Sequence, residues 1–297
     1  MHRYRESDGP PVVARPIGRI CRHYRGLTRR EKPAGRMIPP DREPGYPLYM
    51  LADDRPATWS NELLRSPHTT ADKAGRVRAM FNAIAPTYER VNRVFSFGRD
   101  AAWRRDAVRL ARLAGTERVL DVACGTGDLA RAFLTGGAAR VTGLDFAHEM
   151  LVRAATGGGG ATWCEGDALE LPFASGSFDV VSCAFGIRNF QDLRAGLGEC
   201  FRVLAPGGRL VILEFSRPAG RFARWFTELY TARVMPRLAT WMSGDRTGAY
   251  RYLPSSVVTF PGADAVARDL RAVGFTRVEL HPRTLGVVTI YVAWNSP

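Results

Sequence analysis

Lysine is nearly absent from this chain: of its 42 Lys and Arg residues only Lys32 and Lys73 are lysine. A skew that complete toward arginine is what a GC-rich coding sequence produces. The formal charge of +13 therefore argues only weakly for a nucleic-acid partner and fits a solvated basic surface. Long apolar runs are also missing. No stretch approaches the roughly 18 residues of a membrane span, and the first 36 residues have no apolar core of a secretory signal. Cysteine is sparse, with five residues, an odd number and no C-x-x-C pair. That excludes a disulfide framework or a clustered zinc site, so no metal is expected, and it predicts reduced thiols in a cytoplasmic protein. What the chain does have is 45% hydrophobic residues, enough for one well-packed domain.

The organisation is uneven. Residues 1–70 are basic and crowded with proline, with no helical or strand period, and read as a disordered extension. Residues 71–297 read as the folded domain. Helical spacing marks 77–84 and 101–113. Strands are expected at 118–123, 140–145, 161–165, 178–185 and 209–215, with helices at 128–134, 149–155 and 193–204 between them. Such alternation implies an α/β domain of Rossmann-like type, a mostly parallel sheet with helices on both faces. The end differs. A helix at 263–273 stops at Gly274, and strands at 277–281 and 287–294 suggest an antiparallel hairpin at the sheet edge.

The first strand runs into Asp121-Val-Ala-Cys-Gly125-Thr126-Gly127-Asp128, a glycine turn that lets a ligand approach the backbone. Gly125-x-Gly127-x-x-Ala130 alone also fits a dinucleotide fingerprint. The charges favour another ligand. A dinucleotide sets its pyrophosphate on the helix N-terminus, where this chain has Asp128. Asp121, Asp145 and Asp167 follow at or beyond strand ends, so four acids converge on one sheet edge of a basic protein. S-adenosylmethionine carries a sulfonium and an ammonium and no phosphate. Unit charges about 4 Å apart interact by roughly 4 kcal/mol at an effective dielectric near 20, so the acids suit this cofactor and penalise NAD.

Several motifs in order then resemble the class I methyltransferases: Val119–Asp128, Gly143-Leu-Asp145, Glu165-Gly-Asp167-Ala168 and Leu204-Ala-Pro-Gly-Gly-Arg-Leu210. Met80-Phe-Asn-Ala-Ile-Ala-Pro-Thr-Tyr-Glu89, Phe185-Gly-Ile-Arg-Asn189, Leu213-Glu-Phe-Ser216 and Tyr250-Arg-Tyr-Leu253 are similar to the ubiquinone/menaquinone C-methyltransferases, the UbiE family. The resemblance implies the class I fold with a seven-stranded sheet. It implies S-adenosylmethionine held by Thr126, Asp145, Asp167 and Ala168, with Asp121, Gly125 and Gly127 in the same loop. Where relatives often carry Ser before Phe-Gly, this chain has Ala184, and Asp167 stands where Asn is frequent.

The implied reaction is methylation of a ring carbon on a polyprenylated quinol. Arg188 is expected to stabilise the phenolate, Asn189 to orient the ring oxygen, and Tyr88 and Tyr252 to face the ring. Residues 217–260 interleave arginines with aromatic and aliphatic residues, and read as a substrate lid that meets lipid head groups. The partners are then a lipid-soluble quinol, the inner face of a membrane as a peripheral contact, and a second copy of the chain in a homodimer. Three rivals remain: methylation of another small molecule or RNA, NAD-dependent redox chemistry, and binding without catalysis. No nucleic acid is expected, since no RNA-binding module is visible.

Overall fold

The computed structural model describes residues 59–218, 220 and 248–296. Seven strands build one sheet: β1 (Arg118–Val122), β2 (Arg140–Asp145), β3 (Thr162–Glu165), β4 (Phe178–Ala184), β5 (Leu204–Phe215), β6 (Arg277–Arg283) and β7 (Val288–Trp294). Their order is β3-β2-β1-β4-β5-β7-β6. The first five run parallel, and β7 is antiparallel to both β5 and β6. β1 is buried at every position after Arg118, as a central parallel strand covered on both faces must be. β6 is exposed or half-buried throughout and carries Pro282, which has no N–H to give a neighbour; it is the edge strand. The expected hairpin is present, with β7 inserted between β5 and β6. β5 is longer than its apolar run predicts. It starts at Leu204 and takes in Pro206–Gly208 through an irregularity opposite Phe178 and Val180.

The helices are α1 (Lys73–Ile84), α2 (Tyr88–Phe95), α3 (Asp100–Ala111), α4 (Asp128–Thr135), α5 (His148–Thr156), α6 (Leu193–Val203), α7 (Ala249–Thr259) and α8 (Ala263–Ala272). One core cluster joins the sheet to α6 and α8 through Leu197, Cys200, Val203 and Leu270. A second joins it to α3, α4 and α5 through Ala107, Phe133 and Leu151. A third lies between α1, α5 and α7, around Val77, Met80, Ile84, Met150 and Tyr252. Cys124, Cys183 and Cys200 are buried free thiols.

Trp59 moves the expected domain boundary. It is buried and stacks on Tyr252 with ring centroids 4.2 Å apart. His68 Nε2 lies 3.0 Å from the Ser256 carbonyl of α7. Residues 59–70 therefore belong to the folded domain and not to the extension. A lone tryptophan among polar residues has no period to announce this; its partner is 193 positions away, in α7. The rest of the expected extension, residues 1–58, lies outside the described residues, as do 219 and 221–247 of the expected lid. Among the described residues no helix is long and apolar enough to cross a membrane.

Trp59→Ala should lower unfolding stability in urea by about 3–5 kcal/mol, the usual cost of emptying a buried aromatic site. A loss below about 1 kcal/mol would place Trp59 outside the core.

Candidate functional site

The strand order reverses between β1 and β4, and there a crevice opens at the carboxyl ends of the strands. It holds about 670 Å³ of open space. Both strands leave the sheet through non-glycine residues in left-handed conformation, Ala123 (φ 53°) and Phe185 (φ 55°), and both residues line the crevice. Each costs roughly 1–2 kcal/mol of backbone strain, which concentrates at functional sites. Gly186 follows. A Cβ there would stand 2.6 Å from Cys183 Sγ and 2.8 Å from Ala123 Cβ, so only glycine lets the two loops touch.

One wall is the glycine turn. Gly125 (φ 57°) donates its N–H to Asp145 Oδ2 at 2.7 Å, and a Cβ on it would meet nothing within 4 Å. Its backbone faces open space, as close approach of a ligand requires. Gly127 (φ 86°) is instead packed: a Cβ would sit 2.3 Å from the Trp163 ring. Asp145 accepts a second N–H from Ala147 at 2.8 Å. Burial pushes its pKa up to about 6 against these hydrogen bonds. Asp167 and Ala168 complete this side, with Asp167 accepting the Leu169 N–H at 2.9 Å.

Two residues expected at the cofactor, Thr126 and Asp121, are buried, and the nearby Asp128 is paired. Thr126 is buried and its carbonyl accepts from Arg131 Nη2 at 2.8 Å. Asp121 is buried in β1, with Oδ1 accepting from Ser182 Oγ at 2.8 Å and Oδ2 buried without a protein partner. Burial pushes its pKa up to about 7. Asp128 does not cap its helix; Gly127 is the N-cap. Its carboxylate pairs with Arg131 at 3.0 Å and Arg104 at 3.5 Å. The acids facing the crevice are thus Asp145 and Asp167, and Asp128 is already neutralised by two arginines.

The far wall is the 3-10 turn Ile187–Asn189 after β4. Arg188 does not reach the crevice. Its guanidinium is buried against Glu214 Oε1 at 2.9 Å, donates to the Phe185 carbonyl and to Ser256 Oγ (3.3 Å), and lies 5.5 Å from the Phe215 ring centre. Burial raises the Glu214 pKa, and the Arg188 charge opposes the rise. Asn189 does line the crevice. Its Oδ1 accepts from Tyr252 Oη at 3.0 Å and its Nδ2 donates to the Phe185 carbonyl at 3.3 Å. Tyr252 is fully buried and faces Asn189, correcting its expected place at the ring. Tyr88 does line the crevice, edge-on to Phe81 with ring centroids 5.8 Å apart; burial raises its pKa. Glu214 is a site residue that sequence reasoning missed, although one acid inside the apolar run 210–215 is a readable signal.

The model of the ubiE/COQ5 methyltransferase family matches residues 69–295. The chain belongs to the UbiE/COQ5 methyltransferase family. A demethylmenaquinone methyltransferase of Thermus thermophilus is 48% identical over 220 residues, 72% of this chain and 98% of that one. Another, of Deinococcus radiodurans, is 43% identical over 82% of this chain and 98% of its own length. A UbiE protein of Geotalea daltonii is 41% identical over 74% and 96%. A solved SAM-dependent methyltransferase of Thermotoga maritima shares the fold, with a TM-score of 0.54, 18% identity, and coverage of 73% of this chain and 99% of that one. Membership in UbiE/COQ5 leaves the NAD-dependent and RNA-methylating readings without support, and the class I fold is as expected.

Arg188→Ala should cost about 3–5 kcal/mol, because it strands the Glu214 carboxylate in the core. Arg188→Met combined with Glu214→Leu should recover most of that loss. Additive losses in the double variant, measured by denaturant unfolding, would mean that the two side chains do not act as a pair.

Proposed function

We propose that this chain transfers a methyl group from S-adenosylmethionine to a ring carbon of a polyprenylated quinol of the demethylmenaquinol type. The observation that carries the reading is the two-sided crevice, with an acid-flanked glycine turn on one side and Asn189 with Tyr88 on the other. The relatives named above supply the substrate class. The residues present fit the cofactor: Gly125 offers bare backbone to open space, and Asp145 and Asp167 offer negative charge. Asp145 suits the ribose hydroxyls, and Asp167 with Ala168 suits the adenine side. When bound, S-adenosylmethionine supplies an electrophilic methyl on sulfur.

The chain must make carbon nucleophilic. Loss of a ring hydroxyl proton to water would leave a phenolate whose charge reaches the neighbouring carbon; that carbon would accept the methyl that the bound cofactor supplies, and loss of its own hydrogen as a proton to water would restore the aromatic quinol. Asn189 would meet the ring oxygen with its remaining amide N–H, its Oδ1 and other N–H being held by Tyr252 and the Phe185 carbonyl. Arg188 serves it indirectly: its side chain holds the Phe185 carbonyl and Glu214, which fixes the turn. Tyr88 closes the ring side and keeps water out. A quinol with a long prenyl tail partitions into lipid, so the protein would work at the cytoplasmic face of a membrane, as a peripheral partner.

S-adenosylmethionine at a hundredfold excess over its Kd should stabilise the protein by about 2.7 kcal/mol, and NAD should not. Its affinity should rise between pH 5 and pH 8. Below about 6 for Asp145 and about 7 for Asp121, each acid holds a proton that a cation must displace. The same protons should make the unliganded protein less stable as pH rises from about 4 through about 7, since the folded state binds them more tightly than the unfolded chain. An affinity for the cation that falls with pH would contradict this assignment. Demethylmenaquinol should be methylated under reducing conditions, with kcat reduced about 10²–10³-fold by Asn189→Ala; no turnover by wild type would remove the quinol reading.

A further inference from the structure

Lys73 is the sole lysine among the described residues, in a chain whose other basic side chains are almost all arginine. It is also buried, at 2% exposure. Its ammonium donates to the carbonyls of Arg188 (2.9 Å) and Phe190, and His68 Nδ1 lies 3.4 Å away. The imidazole has only one arrangement that satisfies its neighbours. The Ser256 carbonyl can only accept, so Nε2 carries the proton and donates to it at 3.0 Å, leaving Nδ1 to accept from Lys73. Burial, with the Lys73 charge next, pulls the His68 pKa down, which keeps the ring neutral. Three acceptors therefore converge on three N–H bonds. An ammonium fills that arrangement; a guanidinium, whose five donors lie fixed in one plane, does not.

One carbonyl is in the turn, at Arg188, and the other is at Phe190 just after it, whereas Lys73 begins α1. Gln191 makes a second clasp between the same elements. Its Oε1 accepts the Ala74 N–H at 2.9 Å, and its Nε2 donates to the Thr70 carbonyl at 3.1 Å. Ala74 and Phe81 of α1 line the crevice, as do Asn189, Phe190 and Gln191 in and after the turn. We propose that Lys73 is a positioning residue whose ammonium, with Gln191 as second clasp, locks α1 to the 3-10 turn and so fixes Asn189 in the crevice relative to Ala74 and Phe81 of α1. The inference rests on the reading that Asn189 meets the quinol ring. The glycine turn is not part of the lock, so cofactor binding is independent of it.

The test compares wild type with Lys73→Met and Lys73→Arg, with three readouts. These are S-adenosylmethionine Kd by calorimetry, kcat and KM on demethylmenaquinol, and hydrogen exchange of the amides of residues 186–191. Both variants should keep the cofactor Kd within threefold and lose at least tenfold in kcat. Exchange in the turn should speed up at least tenfold, with exchange in β1 and β2 unchanged. If Lys73→Met does not fold, His68→Leu removes one acceptor, keeps both carbonyls, and should show the same pattern more weakly. Wild-type kcat in Lys73→Arg would overturn the need for an ammonium. Cofactor affinity lost in parallel with kcat, or unchanged exchange in the turn, would overturn the lock itself. If wild type methylates no quinol, the proposed substrate fails, and exchange in the turn alone then decides whether Lys73 positions it.

Discussion

A guanidinium and a carboxylate taken out of water together, Arg188 and Glu214, hold the Asn189 side of the crevice in place. Neither can be buried alone at tolerable cost, and at 2.9 Å each supplies what the other needs. The pairing ties the turn after β4 to the carboxyl end of β5. It also occupies Arg188 fully, which leaves Asn189 as the polar side chain of that turn facing the crevice. The left-handed Phe185 follows from the same constraint. Its carbonyl points to where both Arg188 and Asn189 can reach it.

The opposite side is built differently. Its negative charge is concentrated in two acids, Asp145 and Asp167, with Asp121 buried behind them. Asp128, which in the sequence stands as the clearest argument against a pyrophosphate, is held by Arg131 and Arg104. The preference for a cationic cofactor therefore rests on Asp145 and its neighbours, and on the family of the chain. Gly125 and Gly127 also divide the work: one leaves space for a ligand, the other lets Trp163 pack under the turn.

Much of the fold, and about half of the site, is legible in the order of residues alone. Strand–helix alternation has a strong local signal, and β1, β2, β4, α6 and α8 fall within a residue or so of their expected bounds. Gly125, Asp145, Asp167, Ala168, Asn189 and Tyr88 do line one crevice. What is not legible depends on partners far away in the chain. Trp59 meets Tyr252, Lys73 meets the carbonyls of Arg188 and Phe190, and Arg188 meets Glu214. None of these pairs leaves a period or a spacing. Tyr252 turns away from the ring because it stacks on Trp59, and an aromatic residue in the right segment does not disclose which way it faces. α2 escapes a periodicity reading because eight residues give too little repeat to stand out.

The central claim is that the crevice directs a methyl group onto a ring carbon activated from the Asn189 side. It is tested most directly by giving the purified protein S-adenosylmethionine with a ¹³C-labelled methyl and a reduced demethylmenaquinol, and locating the label by NMR. The account predicts a label bonded to the ring carbon beside a hydroxyl, formed only when the quinol is reduced. A label on oxygen, or transfer that proceeds equally with the oxidised quinone, would contradict it.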